Sequence, residues 1–243
     1  MQNKNNKIAV VCPDFFGYPE QIRSSLIKSG YDVSLFDERP SNRVLDKVLL
    51  RLSGKVFLEK SILRHYDIVM KELESHSVDI LLLIDTEAIS RDIVQKIKNR
   101  VGCQVILYMW DSINNKGSFL EYVDLCDKAF TFDPEDAKSR EELSFLPLFY
   151  AEQYSKDVDI SKKNIDVSFV GTLHSDRYQV VRDIEMQLES EGLKVKKHIY
   201  IQSRLFYYLR KALNFGLWRS HFEEFTTRKL TTDEVSEMFR RSK

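Results

Sequence analysis

Two aspartates and a tryptophan stand directly after apolar runs that predict buried strands. Asp85 ends the run LLLID, and Trp110 and Asp111 follow the run VILYM. Such runs are typical of parallel sheets, so both carboxylates would lie at the carboxyl edge of one sheet. Desolvation there raises a carboxylate pKa toward that of a general base, and Trp110 would add an apolar wall. We therefore take Asp111 and Asp85 as candidate catalytic residues, while a helix N-cap role for each stays open.

A second candidate site follows the apolar run DVSFV. Gly171 and Thr172 come next, and a predicted helix then carries Arg177 in its first turn. Backbone N–H groups, the helix dipole and the guanidinium of Arg177 would together attract a phosphate. The segment predicts a site for a nucleotide diphosphate, and an ordinary strand-to-helix turn is the alternative.

Aromatic residues occupy the loop after the first predicted strand. Phe16, Gly17 and Tyr18 follow KIAVVC within a few residues, and the glycine gives this loop a hinge. Ligand sites are commonly lined by aromatic faces, so these residues and Trp110 predict an acceptor-side surface for a sugar. Packing at the sheet edge is the alternative.

Several motif classes are absent from the sequence. The loop CPDFFGYPEQ lacks the GxGxxG fingerprint, which disfavours a nicotinamide or flavin enzyme. The sequence has no GxxxxGK[ST], HExxH or GxSxG motif, so P-loop, zinc-protease and α/β-hydrolase chemistry lack support. The five histidines are scattered and the three cysteines form no CxxC pair. We therefore expect neither a metal nor a cofactor.

The composition is that of a globular protein with balanced charge. The 243 residues are 43% hydrophobic and 30% charged with zero formal net charge, so no nucleic-acid partner is indicated. Residues 161–243 hold 16 basic and 11 acidic residues, an excess that suits an anionic ligand but that chance explains equally well. The sequence carries no signal-peptide pattern and no membrane-length apolar run, so a cytoplasmic location is expected.

Apolar strands alternate with amphipathic helical runs in the first part of the chain. This order predicts an α/β fold with a doubly wound parallel sheet. The predicted strands are 7–12, 31–37, 78–84, 104–109 and 128–132, and the predicted helices begin at Pro19 and span 45–52, 56–73, 89–101, 119–125 and 134–142.

A change from apolar to charged residues near 145–165 predicts a domain boundary. We expect residues 1–160 to form one Rossmann-like domain and residues 161–243 to form part of a second. The second block has two clear strands, 166–170 and 193–201, and helices at 176–188, 203–214 and 230–241. So small a sheet leaves apolar edges uncovered. An exposed apolar face within residues 193–241 would indicate that something covers it.

The order of these segments resembles bacterial surface-polysaccharide glycosyltransferases of the two-Rossmann-domain, or GT-B, kind. The similarity is to the lipopolysaccharide or capsule biosynthesis group, which is related to spore-coat maturation glycosyltransferases, and it runs from about Lys7 to Lys243. It is carried by KIAVVCPDFFGYPEQIRSSLIKSGYDVSLFDERP, VDILLLID, VILYMWDS, DKAFTFDPEDA, FLPLFY and DVSFVGTLHSDR.

The resemblance implies a first domain that holds the acceptor and supplies any base, and a second that binds a nucleotide-sugar donor. It assigns residues 16–18 and 110 to the acceptor side, and Gly171, Thr172 and Arg177 to the donor diphosphate. It implies no metal, because helix dipoles and basic side chains replace one. In relatives, a segment like LTTDEVSEMFRRSK leads into a further strand, loop and helix that grip the ribose, so a C-terminally truncated donor site is expected here.

The sequence thus predicts a glycosyltransferase that moves a sugar from a nucleotide-sugar donor to a lipopolysaccharide or capsular polysaccharide intermediate. Its implied partners are that donor and a lipid-linked or polysaccharide acceptor, and the truncation puts the activity of this chain in question. The alternative is a non-catalytic remnant or scaffold protein of the polysaccharide assembly machinery. Peripheral association with the inner membrane, and a partner protein that covers the incomplete second domain, also stay open.

Overall fold

The computed structural model describes residues 6–40, 58–155, 158–173 and 176–243. The chain divides into two compact units, Met1–Phe149 and Tyr150–Lys243. This division comes earlier than the expected boundary at 160/161, and the acceptor and donor roles of the two parts stay predictions. The helix predicted over 45–52 lies outside the described residues. Within the described ranges, no helix has the length and apolar character needed to cross a membrane.

The first unit is built on a parallel sheet of six strands in the order β2-β1-β3-β4-β5-β6. The strands are β1 (Lys7–Cys12), β2 (Asp32–Asp37), β3 (Ile80–Ile84), β4 (Gln104–Met109), β5 (Lys128–Thr131) and β6 (Ser144–Phe145). Five of them match predicted strands closely. The sixth is a two-residue strand that pairs only with the end of β5, and it is too short to show a sequence pattern.

The described residues of this unit form four α-helices: α1 (Tyr18–Lys28), α2 (Glu59–His76), α3 (Arg91–Val101) and α4 (Pro134–Ser139). The helix predicted over 119–125 is instead a pair of 3-10 turns, Ser118–Glu121 and Val123–Leu125. The N–H of Tyr122 donates to the carbonyl of Phe119, a bond across three residues that tightens the chain here.

Helices cover both faces of this sheet. Alternate residues of β1 point to opposite sides, so Ala9 and Val11 pack in the cluster that contains α2 and α3. Ile8 and Val10 pack on the other side, against Ile22 of α1. This arrangement confirms the predicted doubly wound sheet, whose ligand-binding edge lies at the carboxyl ends of the strands.

The second unit contains a two-stranded parallel sheet among its described residues. Strands β7 (Val167–Thr172) and β8 (Val195–Tyr200) pair along their whole length, and α5 (Arg177–Ser190) connects them. Two further helices follow, α6 (Arg204–Leu213) and α7 (Thr232–Arg240). The buried cluster of this unit is smaller and strongly aromatic; its members are Leu173, Tyr178, Ile199, Ile201, Tyr207, Leu217 and Phe225.

Candidate functional site

The loop after β4 brings a buried lysine against the end of β3. The ammonium of Lys116 contacts the Asp85 carboxylate directly and lies 3.5 Å from Oδ2 of Asp111. Asp85 holds a left-handed backbone conformation with φ of 47°, and its N–H donates to the carbonyl of Tyr108. A non-glycine residue with positive φ at a strand end is uncommon and often marks a functional site.

The two aspartates differ in their access to solvent. The side chain of Asp85 is 4% exposed, whereas that of Asp111 is 43% exposed. Burial raises the pKa of Asp85, and the Lys116 ammonium opposes this rise. Asp85 therefore holds Lys116 inside the protein, and Asp111 is the carboxylate of this group that a substrate can reach.

Neither aspartate acts as a helix N-cap. The helix after β3 has Ser90 at its N-cap position, five residues beyond Asp85. Asp111 precedes a turn in which the N–H of Lys116 donates to the carbonyl of Ser112. The capping alternative for these two residues is thus removed, although a catalytic role stays a prediction.

A carboxylate from the next loop along the sheet fixes the loop that carries Asp111. Oδ2 of Asp136 accepts a hydrogen bond of 2.8 Å from the N–H of Ile113. Asp136 is itself held in the first turn of α4, where its N–H donates to the N-cap side chain of Asp133. The carboxyl ends of β4 and β5 are joined in this way.

A buried glutamate joins the loops after β2 and β3. The Glu38 carboxylate is completely buried and accepts the N–H groups of Glu87 and Ala88, the first at 2.6 Å. The Arg39 guanidinium lies 3.4 Å from Glu38 and donates to the Glu87 carboxylate at 3.0 Å. Burial raises the pKa of Glu38, and these backbone N–H groups and Arg39 oppose the rise.

Aromatic rings cluster at the same edge of the sheet. Tyr18, Trp110 and Phe149 are mutual neighbours, with ring centroids 5.4 to 6.4 Å apart. Phe16 adjoins Tyr18, is largely exposed, and has a positive φ, as does Gly17 beside it. The structure therefore brings together all four predicted acceptor-side residues, and it adds Phe149, which the sequence analysis did not single out.

The cysteine at the end of β1 lies in surroundings that disfavour the thiolate. Cys12 is buried, and burial, together with the carboxylates of Asp85 and Asp37, raises the pKa of its thiol to about 12. A thiol is reactive only as the thiolate. Nucleophilic cysteine catalysis at this edge of the sheet is thereby disfavoured.

At the carboxyl end of β7, two arginines approach consecutive backbone carbonyls. Arg177 donates to the carbonyl of Thr172 at 3.1 Å, and Arg210 of α6 donates to that of Leu173 at 3.0 Å. A Cβ added to Gly171 would lie 2.7 Å from the ring of Phe169 and 3.5 Å from Nη1 of Arg177. The predicted residues Gly171, Thr172 and Arg177 thus lie together.

The sequence analysis did not single out several charged residues of these sites, among them Glu38, Lys116 and Arg210. Glu38 and Lys116 lie in the loops after β2 and β4, so a position beyond the carboxyl end of a predicted strand was the only signal for them. Arg210 lies inside α6, where its spacing from Arg177 gives no hint of proximity. Among the described residues, no group of three histidine, cysteine or acidic side chains could hold a metal ion.

Neither a protein-family model nor a curated protein matches this sequence. Solved structures are similar in fold. One is a protein named as a UDP-N-acetylglucosamine 2-epimerase from Listeria monocytogenes, with a TM-score of 0.55, 9% identity, and coverage of 98% of this chain and 73% of that one. Another is S. aureus MnaA with UDP, with a TM-score of 0.53, 10% identity, and coverage of 97% and 71%. MurG of Acinetobacter baumannii scores 0.48 at 11% identity, with coverage of 98% and 71%.

The fold class expected from the sequence is confirmed. The chain has the α/β, Rossmann-like organisation of GT-B proteins, with a doubly wound first unit and a second unit that contributes two paired strands among its described residues. Identities near one in ten establish the fold alone. Function must be argued from the residues at the carboxyl ends of β3 and β4 in the first unit and of β7 in the second.

Proposed function

We propose that this protein is a glycosyltransferase that moves a sugar from a nucleotide-sugar donor to a lipopolysaccharide or capsular polysaccharide intermediate. The first unit would hold the acceptor and the second would hold the donor diphosphate. The observation that carries this proposal is the pair of arginines at the carboxyl end of β7. Arg177 is exposed at the start of α5, and no side chain among the described residues caps the first N–H groups of this helix.

These features suit a diphosphate for electrostatic reasons. Guanidinium groups bind phosphate oxygens through charge-assisted hydrogen bonds, and the N-terminus of a helix favours an anion. A nucleotide would replace the weaker contacts that Arg177 and Arg210 make with neutral carbonyls. The solved structure of S. aureus MnaA contains UDP, which makes UDP a suitable probe.

Titration calorimetry with UDP tests the donor site. Arg177→Ala should weaken UDP binding at least several-fold, because one charge-assisted contact to the diphosphate is lost. Arg241→Ala is the matched control, since this arginine donates to Asn164 just before the opposite end of β7. Equal affinities of the wild type and Arg177→Ala would remove Arg177 from the donor site.

On the acceptor side, we propose Asp111 as the general base. Its carboxylate is accessible, it follows Trp110 directly in the chain, and the Lys116 ammonium lies 3.5 Å from it. It would take the proton of the acceptor hydroxyl while that oxygen attacks the anomeric carbon and the nucleoside diphosphate leaves. Asp111→Asn should then lower the transfer rate by about 10²–10⁴-fold with little change in UDP affinity. Near-normal turnover of this variant would exclude Asp111 as the base.

Two other functions are favoured by particular observations. A nucleotide-sugar epimerase is suggested by the name of the Listeria relative. It would change the donor sugar without an acceptor, so product analysis after incubation with the donor alone separates it from a transferase. A non-catalytic scaffold of the assembly machinery is favoured by three exposed leucines of α6, Leu205, Leu209 and Leu213. Neither conversion nor transfer would then be detected.

A further inference from the structure

The turn after β4 carries both Asp111 and Lys116. The N–H of Lys116 donates to the carbonyl of Ser112 at 2.9 Å, and this bond closes the turn. The backbone is tightly folded here, because a Cβ added to Gly117 would lie 3.0 Å from the carbonyl oxygen of Ile113. Whatever fixes this turn therefore also fixes where the Asp111 carboxylate lies.

Among the described residues, the turn is anchored on two sides, and the anchors differ in kind. The inner anchor is the buried ion pair of Lys116 with Asp85. The outer anchor is Asp136 of α4, whose Oδ2 accepts a hydrogen bond of 2.8 Å from the N–H of Ile113, two residues after Asp111. Loss of the inner anchor would leave a buried charge unpaired, whereas the outer anchor is one hydrogen bond to a partly buried carboxylate.

Asp136 is itself held from the end of β5. Its N–H and that of Glu135 donate to Oδ1 of Asp133, the N-cap of α4. The N–H of Asp133 donates in turn to Oγ1 of Thr131, which is fully buried at the end of β5. A series of hydrogen bonds therefore runs from β5 through the start of α4 to the backbone beside Asp111.

We propose that Asp136 is a positioning residue for the transfer reaction. It does not touch the acceptor; it holds the turn so that the Asp111 carboxylate meets the acceptor hydroxyl within the distance that proton transfer needs. This inference rests on the proposed function, because it takes Asp111 as the general base. It adds the requirement that the base is in place only while the backbone beside it is bound to the next loop along the sheet.

The test measures the transfer rate and the exchange of the turn's amides in the same variants. Asp136→Ala removes the acceptor of the Ile113 N–H, so hydrogen exchange of that amide should be at least about tenfold faster. Transfer is measured as UDP release from a panel of UDP-sugars with lipopolysaccharide as acceptor. Its kcat should fall by about 10–100-fold, with unchanged UDP affinity. Asp136→Asn keeps an oxygen that can accept the same hydrogen bond, so it should restore most of the rate.

Two controls separate positioning from stability. Glu135→Ala removes the neighbouring carboxylate, which pairs with Lys138 at the surface, and it should change neither kcat nor the exchange of the turn. In an Asp111→Asn background, Asp136→Ala should cause little further loss of kcat, because a residue that acts through Asp111 then has no base left to position.

The outcomes distinguish this role from the proposed function. A wild-type kcat in Asp136→Ala, an equal loss of kcat in the two backgrounds, or unchanged exchange of the Ile113 amide would each overturn the role of Asp136 alone. A wild type that transfers no sugar would overturn the proposed function and this role together.

Discussion

Charged residues at the carboxyl ends of the strands have different partners in the two units. In the first unit, Lys116 is bound to Asp85 and Glu38 is bound to backbone N–H groups, all of them buried. At the end of β7 in the second unit, Arg177 and Arg210 each donate to a backbone carbonyl rather than to a carboxylate, and Arg177 is exposed.

The charged residues of the first unit hold loops in place, whereas the arginines of the second unit stay available to a ligand. A buried charge costs several kcal/mol unless it is paired, so the first network is retained only because its members satisfy one another. Arg177 is exposed and Arg210 is only partly buried, so both carry less of this cost and can exchange a neutral carbonyl for an anion. We therefore expect substitutions in the first network to change stability, and substitutions at the end of β7 to change binding.

The largest effect should come from Lys116→Met. The replacement keeps the volume of the side chain but leaves the buried Asp85 carboxylate without its counter-ion. Urea denaturation should show a loss of about 3–5 kcal/mol in the free energy of unfolding. The double variant Lys116→Met, Asp85→Asn should recover a large part of this loss, because no buried charge is then unpaired.

The double-mutant cycle provides the control for this prediction. If the two substitutions are simply additive, Lys116 and Asp85 do not act as a pair, and the first network is not held by mutual satisfaction. The affinity for UDP should be unchanged in all of these variants.

A smaller loss is expected for Glu38→Ala. This change leaves the N–H groups of Glu87 and Ala88 without their acceptor in a buried loop, at a cost of about 2–4 kcal/mol. Glu142→Ala is the matched control, because Glu142 pairs with Arg140 at the surface, and it should cost less than about 1 kcal/mol. Similar unfolding midpoints for the two variants would mean that Glu38 does not join the loops.

The sequence predicts the strands of the first sheet well for a physical reason. The runs that form β1, β3 and β4 are buried on both faces, so nearly every residue must be apolar and the pattern is continuous. The two-residue strand β6 is formed by Ser144 and Phe145, which are both exposed. It pairs with β5, but two exposed residues show no apolar pattern from which a strand could be predicted.

The charged partners could not be predicted in the same way. Asp85 and Asp111 were found because each follows an apolar run, whereas Lys116 lies in the polar loop SINNKG and its burial depends on the packing around Asp85. Glu38 is fully buried against the ordinary preference of glutamate for solvent. Partners that are distant in sequence are set by the tertiary fold, and a single sequence does not reveal them.

The smallest expected effect sharpens the contrast between the two regions. Arg210→Ala removes one hydrogen bond to the carbonyl of Leu173 and the contact of its guanidinium with the ring of Phe206, so it should cost only about 1 kcal/mol of stability. Its affinity for UDP should nevertheless fall by about two- to fivefold, because a positive charge beside the diphosphate is lost. Arg241→Ala should leave the affinity unchanged. A stability loss as large as that of Lys116→Met, with unchanged UDP affinity, would instead make Arg210 part of a second structural network and remove the distinction between the two strand ends.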